Sequence, residues 1–387
     1  MTKRRLTGIG WDHPRGFDCF VASKAAFEAE NPDIEVVWEK RSLKDFGDYP
    51  IEPLSDRYDM IVLDHPFVGT ARETGCLLDL KTVVPAAVEA ALADEVGKSA
   101  RSYASGDGVY GLPTDAAAQV AAYRPDLLAA LDRDVPRTLA DVFDVARAAR
   151  AKGRWMATPA GPTDSICMVM SYSVNIRGHG EGLYEDRETL STVLDILTEL
   201  MSLAHPKSTE RNPIATLDAM ASGDEIVYVP LAFGYSNYAR VGRTPLVLAA
   251  DFAGPGPEPA AGALLGGAGC SLTRSCKDLD AAARYLTWLH KPAVMAGDYF
   301  AAGGQPGSRA AWLDENVNAA SNNFFKATLK TLDNAYLRPR FHGFVPYFKA
   351  VGETVNHFLR GEVGKDETLD AIVDGYARAL EGRTVDA

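Results

Sequence analysis

Basic residues are in the minority in this sequence of 387 residues. It has 40 Lys and Arg against 52 Asp and Glu, which gives a formal net charge of −12. A general nucleic-acid binder carries a basic face, and an acidic membrane surface repels a chain of this charge. No apolar run approaches the roughly 18–20 residues that a membrane-spanning helix needs. The composition predicts a soluble protein that neither binds nucleic acid nor inserts into a membrane.

Cysteines and catalytic motifs are also scarce. The five cysteines are scattered and form no CxxC pair, so neither a disulfide framework nor a zinc ribbon is indicated. The sequence has no P-loop, no HExxH, no GxSxG and no GxGxxG after a strand. We therefore predict no cofactor and no metal ion.

The first residues of the sequence do not predict a secretory leader. Met1–Arg5 is basic, as such a leader begins, but Leu6–Trp11 follows as a first strand in place of an apolar core segment. If Met1 is the native start, the sequence predicts a cytoplasmic protein.

The first third of the chain alternates strand and helix. Apolar or β-branched runs at Leu6–Trp11, Ile34–Trp38 and Asp59–Leu63 predict strands. Apolar residues on one face of Phe17–Glu30 predict a helix between the first two. Such alternation is typical of βαβ units in an open, doubly wound parallel sheet.

Segments rich in Gly and Pro predict crossings between two lobes. Gly108–Pro113 and Val120–Tyr123 suggest two short extended pieces, and Asp251–Gly269 interrupts the later helices as a linker or crossover. We expect an N-terminal lobe of residues 1–112 and 268–312 and a C-terminal lobe of residues 113–267 and 313–387. Crossovers are expected near 108–123, 260–270 and 303–316. Proteins of this shape hold a ligand in the cleft and close about a hinge.

Several segments resemble, in order, one protein family. They are Phe27–Val36, Tyr58–Leu63, Gly108–Pro113, Pro136–Val142, Asp218–Gly223, Gly266–Gly269 and Gly304–Arg309. Together they resemble the extracellular solute-binding proteins of ABC importers, of the large type that includes the maltodextrin-binding proteins. The resemblance implies a two-lobed α/β fold of the periplasmic-binding-protein kind (type II). It also implies a monomer that captures a sugar, polyol or sugar-acid-like solute in the periplasm for an ABC permease.

The tripeptide Asp-His-Pro occurs twice, each time after a predicted strand. Asp12-His13-Pro14 and Asp64-His65-Pro66 should both line the cleft, because ligands bind at the carboxyl ends of the strands in open α/β sheets. The same residues could instead form turns, act as acid–base pairs or hold a metal ion. We favour ligand contact.

Aromatic residues with polar neighbours complete the predicted binding site. Flat rings stack on the apolar faces of sugars while polar groups bind the hydroxyls. The predicted ligand-binding residues are Trp11, Asp12, His13, Asp64, His65, Phe67, Asp115, Gln119, Tyr172, Tyr235, Gly267 and Arg309, the last from its resemblance to a cleft arginine of the family. Arg15 and His179 are weaker candidates.

Two other functions remain open at this stage. The first is a cytoplasmic enzyme on the same fold that uses His13 or His65 with Asp12 or Asp64 as general acid and base. The second is a cytosolic sensor whose ligand-bound surface docks a partner protein. For the leading hypothesis, a binding protein, no catalytic residue is predicted.

Overall fold

A computed structural model describes residues 3–178, 182–381 and 383. The first third has the predicted alternation of strands and helices. Its elements are β1 (Arg4–Trp11), α1 (Cys19–Glu30), β2 (Ile34–Arg41), α2 (Leu43–Asp48), α3 (Glu52–Ser55), β3 (Met60–Leu63), α4 (Val68–Thr74), α5 (Leu80–Val83) and α6 (Pro85–Ala93). Every residue of β3 is buried, as its continuous apolar sequence predicts for a strand covered on both faces.

The middle of the chain contributes most of the remaining strands. Its elements are β4 (Ala104–Ser105), β5 (Gly108–Val109), β6 (Leu112–Tyr123), α7 (Pro125–Ala130), α8 (Leu139–Ala151), β7 (Trp155–Met156), α9 (Pro162–Arg177), α10 (Arg187–Leu203), α11 (Pro213–Ser222), β8 (Ile226–Phe233), β9 (Leu248–Ala250) and β10 (Leu265–Leu272). Helix α8 begins at a capping box, in which the Thr138 side chain accepts from the Asp141 N–H and Asp141 accepts from the Thr138 N–H.

The last third is helical. Its elements are α12 (Leu279–Leu289), α13 (Pro292–Val294), α14 (Arg309–Leu313), α15 (Glu315–Ala320), α16 (Phe324–Asp333), α17 (Phe344–Leu359) and α18 (Lys365–Leu380). Within the described ranges, none of the helices has the length and apolar character needed to cross a membrane.

One strand links the two halves of the sheet. The strand order is β2-β1-β3-β10-β6-β8-β7, and β9 also pairs with β6. The first part of β6 pairs with β10, and its last residues pair with β8 and β9. The sequence predicted two short extended pieces here, but a single strand of 12 residues runs from Leu112 to Tyr123. Likewise, the end of the predicted linker Asp251–Gly269 belongs to β10.

Two large and separate apolar cores lie on either side of these central strands. One includes Phe20, Trp38 and Tyr285, and the other includes Tyr172, Leu197 and Phe344. The chain therefore has the predicted two-lobed α/β fold. Strands β6 and β10 run without a break through the expected boundaries at 112/113 and 267/268. The exact lobe boundaries stay a prediction.

Helix α12 provides a direct test of the first of these cores. Leu286 is fully buried, whereas Leu279, at the start of the same helix, is 42% exposed. We expect Leu286→Ala to lower the free energy of unfolding by about 2–5 kcal/mol, because it removes buried methyl groups and leaves a cavity. The matched variant Leu279→Ala should change it by less than about 0.5 kcal/mol. Urea unfolding measures both, and equal effects would contradict the packing.

Candidate functional site

A cavity of about 510 Å³ opens between the two lobes. It is lined by the end of β1, by α2, by the first turn of α9, by the residues that end β8, by β10 and by α17. Residues that are far apart in sequence meet here because β6 and β10 carry the sheet from one lobe to the other. The cavity has the size of a small-molecule site.

Aromatic rings form two walls of the cavity. Trp11 and Phe46 stand on one side, with their ring centroids 4.7 Å apart. Phe233 and Tyr235, at and just beyond the end of β8, stand on another. The Trp11 indole Nε1 is buried and has no hydrogen-bond partner in the described part of the chain. The walls therefore offer flat apolar faces, while the Trp11 donor is buried away from solvent.

A largely buried ion pair joins the end of β3 to the segment before α17. Arg338 Nη2 donates to both carboxylate oxygens of Asp64, at 2.9 and 2.7 Å. Burial acts to raise the pKa of Asp64, but the charge of Arg338 and the hydrogen bonds from Arg338 and His65 outweigh it and hold that pKa well below its usual range. Burial, together with the Arg338 charge, lowers the pKa of His65 to about 4. Asp64 is therefore ionised and His65 neutral near pH 7.

A second buried ion pair connects the lobes. Arg15, which follows β1, donates to Asp115 of β6 through Nε and Nη2, each at 2.5 Å. Its Nη1 donates to the carbonyl of Gly234, after β8, at 2.9 Å. Its guanidinium also lies over the Tyr235 ring, 4.7 Å from the centroid. One side chain thus holds three separate elements at the cavity.

Asp164 differs from these charges because it lacks a partner. It lies in the first turn of α9, lines the cavity and is only 5% exposed. Within the described residues its carboxylate makes no hydrogen bond and no ion pair. Burial raises the pKa of Asp164 to about 7.

The cavity brings together four of the predicted binding residues. They are Trp11, Asp64, Tyr235 and Gly267. Gly267 has φ = 117°, and a Cβ there would stand 2.4 Å from the Asp115 carbonyl oxygen, so this position requires glycine. Asp115 lies behind the cavity wall through its pair with Arg15.

The residues of the two Asp-His-Pro tripeptides separate in space. Asp12 points away from the cavity and binds Lys40 at 2.7 Å on the surface. His13 Nδ1 accepts from the Arg15 N–H at 3.1 Å, and its ring edge contacts Tyr235. His65 is 1% exposed beneath Asp64.

The other predicted residues lie outside the cavity lining. Phe67 packs in a small core with β3, and Tyr172 lies inside the core of the second lobe. Gln119 is buried and accepts a hydrogen bond from Ser171 at 2.5 Å. Arg309 pairs with Asp333. His179, the weaker candidate, lies outside the described residues.

Most residues that line the cavity were not predicted from the sequence. Among them, Phe46, Arg338 and Glu353 come from segments with no motif, so only their position in the fold reveals them. Gly161-Pro162 marks the start of α9, since Pro is favoured in the first helical turn, and this signal could have located Asp164. In the part of the chain that the structure describes, no cluster of His, Cys, Asp and Glu could hold a metal ion.

The comparison with protein-family profiles identifies one family. The profile of the bacterial extracellular solute-binding protein family matches residues 22–324. No curated protein sequence matches the chain significantly.

Solved structures share the fold at low sequence identity. Maltose-bound MalE3 of T. maritima is 17% identical and has a TM-score of 0.84, covering 97% of this chain and 100% of its own. An ABC transporter solute-binding protein of Agrobacterium radiobacter K84, in complex with ribitol, is 18% identical with a TM-score of 0.79, covering 98% and 99%. One from Agrobacterium vitis S4, with bound D-mannitol, is 16% identical with a TM-score of 0.74, covering 99% and 100%.

The unpartnered carboxylate of Asp164 makes a prediction about stability and pH. Its pKa rises from 3.8 to about 7 on folding, so between these values the folded protein binds more protons than the unfolded chain. This group therefore destabilises the fold increasingly as pH rises through that window. Asp164→Asn should gain stability over the parent as pH increases from 4 to 8, by up to about 4 kcal/mol.

Urea unfolding of parent and variant at each pH measures this gain. Other titrating groups cancel in the difference between the two proteins. Asp195→Asn removes a carboxylate that is exposed and paired with Lys365, and it should show no comparable trend. A gain for Asp164→Asn that does not change with pH would contradict the burial of an unpaired carboxylate.

Proposed function

Because the chain belongs to the bacterial extracellular solute-binding protein family, we propose that it captures a small sugar or polyol in the cavity between its lobes. It acts as the substrate-binding protein of an ABC transporter, outside the cytoplasm, and delivers the solute to the permease. Its work is affinity and a change of shape, and the solute leaves unaltered.

The observation that carries this proposal is the make-up of the cavity. Aromatic faces line it from both lobes, and the charges of Arg15 and Arg338 are already held by Asp115 and Asp64. Aromatic faces pack against the C–H faces of a sugar, and fixed polar groups bind its hydroxyls without having to be ordered first. A volume of about 510 Å³ suits a solute of one or two sugar units.

The ligands of similar structures support the same class. Maltose, ribitol and D-mannitol are uncharged, and each presents several hydroxyls on a short carbon frame. The fold alone does not assign a ligand, because one fold hosts many functions. The proposed ligand class rests on the residues of the cavity, and the ligands of the similar structures add support to it.

The lobes are joined in a way that suits closure around a solute. Strands β6 and β10 cross between them, and Gln305 ties the crossing by donating to the Ala116 carbonyl at 2.9 Å. Gln305 also accepts from the Ser236 N–H at 3.0 Å. In hinge closure of this kind, the backbone dihedral angles of only a few residues change while each lobe rotates as a rigid body.

The enzymatic alternative has weaker support. An acid–base pair must reach the substrate, yet His65 is 1% exposed and lies outside the cavity lining. Asp12 and His13 do not pair with each other, since Asp12 binds Lys40 and His13 accepts from the Arg15 backbone. A general base needs hydrogen-bond reach to the proton it removes.

The test is a thermal-shift screen of the purified full chain against sugars, polyols, sugar acids and amino acids. A solute that binds only the folded protein raises its melting temperature. Each hit is then incubated with the protein and examined by mass spectrometry. A sugar or polyol recovered unchanged supports the proposal. A consumed hit overturns it in favour of an enzyme, and hits only among amino acids overturn the ligand class.

Trp11 should carry a large part of the affinity. Removing a buried aromatic contact commonly costs 2 kcal/mol or more, so Trp11→Ala should weaken binding of the identified solute by about 30-fold. Trp11→Phe, which keeps a flat ring, should lose less. Isothermal titration calorimetry measures both.

Trp155→Ala provides the matched control. Trp155 lies outside the cavity, where its ring contacts Arg150 and His205. We expect its loss to leave the dissociation constant within about twofold. Equal weakening by Trp11→Ala and Trp155→Ala would contradict direct contact by Trp11.

A further inference from the structure

The charges around the cavity fall into two groups. Arg15 and Arg338 are buried, Asp64 is partly buried, and each of the three is paired with an opposite charge. Lys44, Glu210, Lys349 and Glu353 also line the cavity, but they are exposed and therefore screened by solvent. Asp164 belongs to neither group, since it is buried and unpaired.

An unpaired buried carboxylate is costly for a protein to keep. Taking a charge out of water without a partner costs several kcal/mol, and proteins normally pair or neutralise such groups. Replacing Asp164 with a neutral residue would remove that cost without breaking any hydrogen bond or ion pair among the described residues. A ligand that carries a positive charge would supply the partner that the Asp164 carboxylate lacks.

We propose that the cavity takes an amino sugar or an amino polyol, whose protonated amine is bound by the Asp164 carboxylate. This inference rests on the proposed function and narrows its ligand class. An ammonium group supplies the opposite charge and up to three donors that the carboxylate lacks. The hydroxyls and the carbon frame of the same solute use the rest of the cavity.

The neighbours of Asp164 suit a cation. Phe233 and Tyr235 line the same cavity, and aromatic faces attract cations. The carboxylates of Glu210 and Glu353 add negative charge at its edge, and Lys44 and Lys349 oppose them. The buried cations nearby, Arg15 and Arg338, are neutralised by Asp115 and Asp64 and so repel an ammonium less. The first turn of α9 favours the ionised carboxylate, because the helix N-terminus stabilises negative charge.

The test compares solutes that differ only in the amine. D-glucosamine is paired with D-glucose, and 1-amino-1-deoxy-D-sorbitol with D-sorbitol, at pH 7.5 by calorimetry. The parent protein should bind at least one amine about tenfold or more tighter than its neutral counterpart. In Asp164→Asn the ratio of the two affinities should fall to about one, because the charge pair is lost.

Two controls separate this effect from others. Asp195→Asn makes the same change in net charge outside the cavity and should keep the preference for the amine. In N-acetyl-D-glucosamine the amine is an uncharged amide, so the positive charge is lost from the solute while the protein is unchanged. This comparison tests the proposal even if Asp164→Asn does not fold. The parent protein should bind it more weakly than D-glucosamine.

Proton release provides a second readout. The raised pKa of Asp164 leaves much of this carboxyl protonated at pH 6, and an ammonium ligand should expel that proton. Binding heats at pH 6 should then depend on the ionisation enthalpy of the buffer in the parent but not in Asp164→Asn. The other charged or titratable groups that line the cavity are present in both proteins, and no histidine lines it; they are Arg15, Lys44, Asp64, Glu210, Tyr235, Arg338, Lys349 and Glu353.

The outcomes distinguish the two proposals. Equal binding of amines and neutral solutes by the parent protein overturns the assignment to Asp164 and leaves the sugar or polyol function standing. A preference that survives Asp164→Asn also overturns it. Binding of neither class overturns the proposed function itself.

Discussion

The Arg15–Asp115 ion pair is the constraint on which the arrangement of the two lobes depends. Arg15 comes from the first lobe, Asp115 from the central strand β6, and the third contact is the carbonyl of Gly234 beyond β8. Both side chains are almost fully buried. Burial acts to lower the pKa of Arg15, but the charge of Asp115 outweighs this effect and raises that pKa. Losing either partner would leave an uncompensated buried charge, a change that commonly costs 3–5 kcal/mol. The pair therefore fixes where β1 and β8 stand relative to each other, and with them the aromatic walls of the cavity.

This pairing also determines which groups remain for a ligand. Because Arg15 is neutralised by Asp115, it offers a solute little net charge. Arg338 is neutralised by Asp64 in the same way on the other side of the cavity. What remains is flat apolar surface and the carboxylate of Asp164, the one buried charged group of the lining that has no partner among the described residues. Such a lining favours a compact solute rich in hydroxyls. The polarity of the cavity thus depends on which charges the fold has already neutralised.

The sequence predicted local structure well and long-range partners poorly. Strands β1 to β3 and helix α1 follow from apolar periodicity, which acts within a few residues. Helix α9 escaped prediction because it is buried on nearly all sides and shows no amphipathic pattern. Strand β6 looked like two pieces because its alanine-rich middle has weak strand propensity, and pairing on both edges overrides it. Arg338 lies 274 residues from Asp64 in the chain, so no local sequence pattern predicts their contact.

The two Asp-His-Pro tripeptides show why a motif places a backbone but does not assign a role. Both follow a strand, and both begin a short helical turn at the edge of the sheet. Asp12 lies next to the edge strand β2 and binds Lys40 in solvent, whereas Asp64 follows β3, an inner strand of the sheet, and pairs with Arg338 from the segment before α17. The same three residues therefore give an exposed ion pair that contributes little to stability and a largely buried one that lies at the cavity. What separates them is the position of the preceding strand in the sheet, so the chemistry of each tripeptide is set by topology.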